Sequence, residues 1–274
     1  MPTAIDIEPI LLADGLVFPE GPAFASDGAL WGVEMNAGGL FRWADGELTR
    51  LNVGGKPNGL AIHDGSVLFC DAAQDAVFRL ASDWREDVRI EPVAETVLGR
   101  ALTAPNDLIF DPSGAMIFTC PGDSKAGPMG TVWVRSPDGD VALVAEALHF
   151  PNGLTLTPDG RDLIVAETLG QRLWRGGWNG ETRAWADPRP WVEVGGAPLG
   201  PDGMAYAPDG LLYVALYGSG LVQAIDDTGR IVRTFPVPGD KPTNLAFDPS
   251  GELGMVVTEA TNGLLLSYPG VGAA

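Results

Sequence analysis

Apolar residues in this chain come in short runs, and the runs come in pairs. One such pair is Met204-Ala205-Tyr206 and Leu211-Leu212-Tyr213-Val214-Ala215, joined by Pro208-Asp209-Gly210. Runs of this length, bounded by Gly, Pro and Asp, read as strands rather than helices. Asp-Gly at the corner predicts a tight hairpin, because glycine takes up positive φ without steric cost. A proline and a polar residue, Pro201-Asp202, lead into the pair.

The same unit occurs six times. Its entries are Pro19-Glu20, Pro57-Asn58, Pro105-Asn106, Pro151-Asn152, Pro201-Asp202 and Asn244, the last with Pro242 one place further back. Its turn glycines are Gly28, Gly65, Gly114, Gly160, Gly210 and Gly251, each seven or eight residues after the polar residue. Successive turn glycines lie 37 to 50 residues apart. A period of that size containing strands and no helix is the signature of propeller blades. Third strands are expected over 76–80, 131–135, 172–175 and 221–225. The prediction is an all-β chain, a six-bladed β-propeller with a central channel, forming one domain over 1–274. Ring closure falls to the N-terminal stretch 5–12, expected beside 264–268 in the blade of Asn244. One connection, 121–130, is long and loose, which suits either a binding loop or a slack surface loop.

The repeat itself makes the chemistry converge. The first strand of every blade lines the channel, so Glu20, Asn58, Asn106, Asn152, Asp202 and Asn244 form a ring at one mouth. All six are oxygen donors and none is basic. Such a set suits a hard cation, Ca²⁺, Mg²⁺ or Mn²⁺, with Glu20 and Asp202 neutralising its charge. Without a cation, two carboxylates at one crowded mouth repel, and one tends to keep a proton. The bland alternative is that Asn and Asp simply cap the turns before each strand. A second ring is expected one step out, at the ends of the second strands: Glu34, Asp71, Asp123, Glu167, Tyr217 and Glu259. These either orient the inner ring or meet substrate, or are solvated loop residues.

Rival devices are few. The chain has two histidines. His63 should lie at the far end of its strand; His149 comes three residues before Asn152 and is within reach of the mouth, although packing suits it better. No Gly-x-Ser-x-Gly, His-Glu-x-x-His, phosphate-binding loop or Cys-x-x-Cys occurs.

Composition trims the remaining possibilities. With 45% hydrophobic residues the chain can bury a sizeable core. Thirty-six acids against 17 bases give a net charge of −19, which argues against nucleic acid and anionic membrane surfaces as partners. No apolar run is long enough to span a membrane, and the first residues show no basic, apolar leader. Cys70 and Cys120 read as buried free thiols, in keeping with a reducing, cytoplasmic setting.

The stretches Phe18-Pro19-Glu20-Gly21-Pro22, Pro105-Asn106-Asp107, Phe150-Pro151-Asn152-Gly153-Leu154 and Pro201-Asp202-Gly203-Met204 resemble, in order, motifs of the SMP-30/gluconolactonase/LRE-like family. The resemblance covers about Gly15 to Tyr268. It implies a six-bladed propeller that hydrolyses cyclic esters, with one divalent cation held by Glu20, Asn152 and Asp202. It makes Asn106 a substrate or metal contact. Calcium is the first choice of ion, with Zn, Mn, Mg or Fe as alternatives. In the mechanism this suggests, the cation polarises the lactone carbonyl, Asp202 serves as general base toward water, and Asn106 positions the ester. Sugar-lactone members often carry an arginine where this chain has Ala104. Arg100 and Lys125 lie nearby, and Lys125 is the candidate substrate contact. The substitution leaves room for a less polar lactone or another ester. A phosphoester hydrolase on the same scaffold and a non-catalytic metal-binding propeller are the other readings.

Overall fold

The computed structural model describes residues 2–81, 84–85, 87–97, 99–124 and 126–274. It is a six-bladed β-propeller without an α-helix among the described residues; the only helical turn there is a 3-10 turn at Met35–Ala37. All six turn glycines have positive φ, between 70° and 84°. Each blade is built on four antiparallel strands, and the innermost begins at the polar entry or, in blade 3, just after it. The innermost strands are Pro19–Phe24, Pro57–His63, Leu108–Phe110, Pro151–Leu156, Gly200–Tyr206 and Pro242–Phe247, in blades 1 to 6.

The second strands are Leu30–Glu34, Ser66–Asp71, Met116–Cys120, Asp162–Glu167, Leu212–Tyr217 and Met255–Glu259. They are almost wholly buried, because both of their faces pack against neighbouring blades. Their alternate residues feed different cores. Ile117 packs with Leu154 and Val165 between blades 3 and 4, whereas Met116 and Phe118 pack with Leu68 and Cys70 between blades 2 and 3. Six apolar clusters result, one at each junction around the ring. Cys70 and Cys120 are buried free thiols, and burial pushes both well up from the ordinary thiol range.

In blade 6 the outermost strand comes from the other end of the chain. Ile10–Ala13 pairs antiparallel with Leu264–Tyr268. The N-terminal segment is divided, however, where the sequence suggested one strand over 5–12. Thr3–Ala4 runs parallel to Ile231–Pro236 of blade 5, and the Ile5 amide donates to the Thr234 carbonyl at 2.8 Å. The N-terminal segment therefore stitches blade 5 to blade 6.

Candidate active site

The inner strands are irregular at their entries. The pairing register shifts between Glu20 and Ala23, Pro57 and Leu60, Pro151 and Leu154, Pro201 and Met204, and Pro242 and Asn244. Bulges of this kind re-aim side chains. Here they turn Glu20, Asn58, Asn152 and Asp202 toward the channel; Asn106 begins the third blade at the same register, its N–H donating to the Thr119 carbonyl at 2.8 Å. All five side chains are buried.

Neighbouring blades are tied together at this level. The Gly59 N–H donates to the Asn106 carbonyl at 2.6 Å. The hydroxyls of Thr119, Thr168 and Thr243 donate to the carbonyls of Asn152 (2.8 Å), Pro201 (2.6 Å) and Pro19 (2.7 Å). Each tie joins one blade to the next and fixes the ring against shear.

Asn244 stands just below the ring, its side chain still hydrogen-bonded to the Glu20 carboxylate. The residue at that level in blade 6 is Thr243, inside the bulge, and Asn244 sits one residue deeper. The depth is set by glycines. Blades 1, 2, 4 and 5 have Gly21, Gly59, Gly153 and Gly203 after the polar residue, whereas blade 3 has Asp107 and blade 6 has Asn244. These two come from opposite sides of the ring and meet on its axis, with Asn244 Nδ2 donating to Asp107 Oδ2 at 3.4 Å. Glycine is needed beside them: a Cβ on Gly59 would lie 2.2 Å from Asp107 Oδ1, and one on Gly203 would lie 2.0 Å from Asn244 Cγ. Sequence reasoning missed Asp107. The available signal was an acid standing where four other blades have glycine.

Three carboxylates therefore share one buried space. Burial, then the Asp107 charge, pushes Glu20 up to about 8. Burial pushes Asp107 up to about 7, against hydrogen bonds from Leu108 and Asn244. Asp202 is raised well above the carboxylate range by burial first and then by Glu20 and Asp107, although Asn152 hydrogen-bonds to it. Among the described residues no Lys, Arg or His acts on these three groups. Among the described residues no three His, Cys, Asp or Glu side chains converge in metal-holding geometry. The donors at the ring are instead mixed carboxylate and amide oxygens. Buried carboxylates with amide oxygens beside them and no basic partner fit a hard divalent cation, which relieves both their desolvation and their repulsion.

The outer acids have a different job. Glu34 accepts the Val17 N–H at 3.0 Å and Asp71 accepts the Lys56 N–H at 3.0 Å. Glu167 accepts the His149 N–H at 2.7 Å, and Glu259 accepts the Lys241 N–H at 3.1 Å. Each carboxylate thus clamps the chain just before its own blade's inner strand. Glu34 and Glu167 also hold Arg50 and Arg172, at 2.7 and 2.6 Å. Asp123 takes no part in this clamp pattern. His149 directs Nε2 to the Ser124 carbonyl at 3.2 Å and so fastens the long 121–130 loop near the mouth. His63 stacks on Phe110 at 4.0 Å and lines the cavity at the far end of the channel. Lys125 lies outside the described residues.

The sequence pattern of the SMP-30/Gluconolactonase/LRE-like region matches residues 18–261. The chain belongs to this family. Among curated relatives it is 29% identical to diisopropyl-fluorophosphatase of Loligo vulgaris, over 96% of this chain and 92% of that one. It is 32% identical to pentonolactonase XacC of Haloferax volcanii; there the match spans about half of each protein, 52% of this chain and 48% of the relative. The crystal structure of regucalcin from Agrobacterium tumefaciens, described as a calcium-binding protein, superposes with a TM-score of 0.85 at 21% identity, covering 100% of this chain and 98% of that one. That likeness bears on the fold.

The family region begins at Phe18 and ends at Thr261, so it includes every inner-ring residue and both axial residues, Asp107 and Asn244. It excludes the N-terminal strands that stitch blades 5 and 6.

Proposed function

We propose that this member of the family hydrolyses the ester bond of a small-molecule lactone, using a hard divalent cation held by Glu20, Asn152 and Asp202. The observation that carries the reading is the buried pair Glu20 and Asp202, which share their space with Asp107 and have no basic side chain among the described residues to offset them. The name of the Haloferax relative and the calcium-binding description of the regucalcin structure support it.

When bound, the cation supplies Lewis-acid polarisation of the ester carbonyl. The chain's own groups do the rest. Asp202 takes a proton from the attacking water as its oxygen bonds to the carbonyl carbon. The ring C–O bond then breaks, and the same proton passes from Asp202 to the departing alkoxide, leaving a hydroxy acid. Asn106, at the same level of the ring two blades away, donates its amide N–H to the carbonyl oxygen as negative charge gathers there. Burial of the ring excludes bulk water and strengthens both interactions.

A second reading is hydrolysis of a phosphoester or phosphorofluoridate at the same residues. The near full-length match to diisopropyl-fluorophosphatase favours it. One experiment separates the two: metal content is measured, and turnover of lactones, aryl esters and paraoxon-type substrates is followed by proton release. Lactone turnover that disappears with chelator and returns with cation is expected. Turnover of the phosphorus substrates alone would replace the first reading with the second.

A further inference from the structure

The fifth blade departs from the others where its second strand ends. In blades 1, 2, 4 and 6 the residue paired with the entry proline is the clamp acid Glu34, Asp71, Glu167 or Glu259. Blade 3 has Cys120 at the end of its second strand, with its sulfur against the Thr103 N–H. In blade 5 the residue paired with Pro201 is Leu216, which cannot clamp. The next position is equally unusual. It is Met35, Ala72, Thr168 and Ala260 in blades 1, 2, 4 and 6, whose N–H groups bond to the residue before the entry proline. In blade 5 it is Tyr217, paired with Gly200.

That register position looks toward the ring. The Thr168 hydroxyl takes a hydrogen bond from Asn152 at 3.2 Å and gives one to Pro201 of the next blade. A tyrosine there is long enough to cross blade 6. The Tyr217 ring reaches Phe18 of blade 1, with centroids 6.2 Å apart, and Lys241 of blade 6 places Nζ over the tyrosine ring, 5.7 Å from its centroid. Phe18 is held at φ 60°, a left-handed conformation rare for an aromatic residue and shared by Phe150 (64°) before the entry proline of blade 4. Such strain persists where the surroundings enforce it, and it concentrates at binding sites. Burial, then the charges of Asp202 and Glu20, pushes the Tyr217 phenol up to about 12. Val17, beside Phe18, is 47% exposed. Of the nearby cations, Arg50 and Arg172 are paired with Glu34 and Glu167, and the Lys241 ammonium lies over the tyrosine face. Across the mouth Ala104, also at positive φ (51°), offers no hydrogen bond from its side chain.

We propose that Phe18 and Tyr217 receive an apolar substituent, alkyl or aryl, carried on the lactone ring, so that the site prefers such lactones to polyhydroxylated ones. The assignment rests on the lactone-hydrolase reading above and narrows it. The ester would sit at Glu20 and Asp202 with its substituent under the aromatic pair.

The test compares two six-membered lactones, δ-decalactone and glucono-δ-lactone, on cation-loaded protein. Wild type should have the higher kcat/KM on δ-decalactone. Tyr217→Thr, which installs the residue blade 4 carries at this register, should lower that value roughly 10- to 100-fold, chiefly through KM, as expected for losing one large apolar contact. It should leave glucono-δ-lactone nearly unchanged. Tyr217→Phe should keep the preference, because the wall and not the hydroxyl makes it. A general lesion would lower both substrates together, so parallel losses overturn the assignment. Turnover of glucono-δ-lactone in preference to δ-decalactone overturns it and leaves the lactone-hydrolase reading standing. No turnover of either lactone removes both.

Discussion

Glu167 shows how an outer acid controls the inner ring, and Glu167→Ala tests it. The carboxylate is 2% exposed and accepts from the His149 N–H at 2.7 Å, Arg172 Nε at 2.6 Å and Trp174 Nε1 at 2.9 Å. Removing it strands two donors and a partly buried guanidinium. Breaking a buried charged pair from one side typically costs about 3–5 kcal/mol. Arg172 is 34% exposed and regains some water, which places the loss near the lower end of that range. At roughly 2–4 °C per kcal/mol for a chain somewhat smaller than this one, the melting temperature should fall by about 6–12 °C. The chain from His149 to Asn152 also loses its clamp, so cation affinity should drop by roughly 10- to 100-fold, the usual effect of loosening a ligand's support. Burial raises the Glu167 carboxyl, but the bonds from Trp174, His149 and Arg172 outweigh it and hold the group below its ordinary value of 4.5. The clamp's charge contribution is therefore complete above that pH and fades as pH falls through the depressed folded value. Calorimetric melts at neutral and acid pH, with cation titrations on the same preparation, measure all three effects. A neutral-pH melt within about 2 °C of wild type would refute the clamp.

The Glu20→Gln, Asp202→Asn double variant removes both neutralising charges and should nearly abolish cation binding by calorimetry; unchanged affinity would move the site elsewhere. Asp202→Asn alone should cut kcat by about 10²–10⁴-fold, the usual range for losing a general base, and far more than it weakens the cation. Asn106→Ala should instead raise KM or lower kcat modestly with the cation retained, provided metal is quantified in each sample. Chelated protein should lose stability as pH rises. Glu20 and Asp107 sit at about 8 and about 7 in the folded state against 4.5 and 3.8 ordinarily, so the unfolded chain sheds their protons first. Urea melts between pH 5 and pH 8 should show the decline and its reduction by added cation, whereas stability rising over that range would disprove it.

The blades were legible because one short pattern, proline, polar residue, apolar run, Asp-Gly or its like, is written six times and its glycines must take positive φ. The ring followed from the repeat for Glu20, Asn58, Asn106, Asn152 and Asp202. Asn244 slipped by one place because its proline stands one residue further back, and in a strand one residue decides the direction of a side chain. Asp107 was masked by Asn106: two polar residues in a row look like one entry. The clamps were unreadable for another reason. Glu34, Asp71, Glu167 and Glu259 were placed near the mouth, but their partners are backbone N–H groups, which every residue but proline carries and no side-chain pattern reveals. Tyr217 was grouped with those acids, whereas by register it occupies the next position, paired with Gly200.

Asp107 and Asn244 have one further consequence. Their contact crosses the axis of the propeller, so the channel has a floor. Beyond that floor lies a separate cavity of about 820 Å³, opening on the opposite face between apolar walls such as Phe24, Phe110, Leu156 and Phe247. The ring is thus a cup and not a pipe. Whatever enters at the mouth must turn back to leave, and a ring-opened acid departs through the doorway the next lactone needs. Product and substrate exclude one another there. Inhibition by the hydroxy acid should be competitive, and a molecule lodged in the far cavity should leave the reaction untouched.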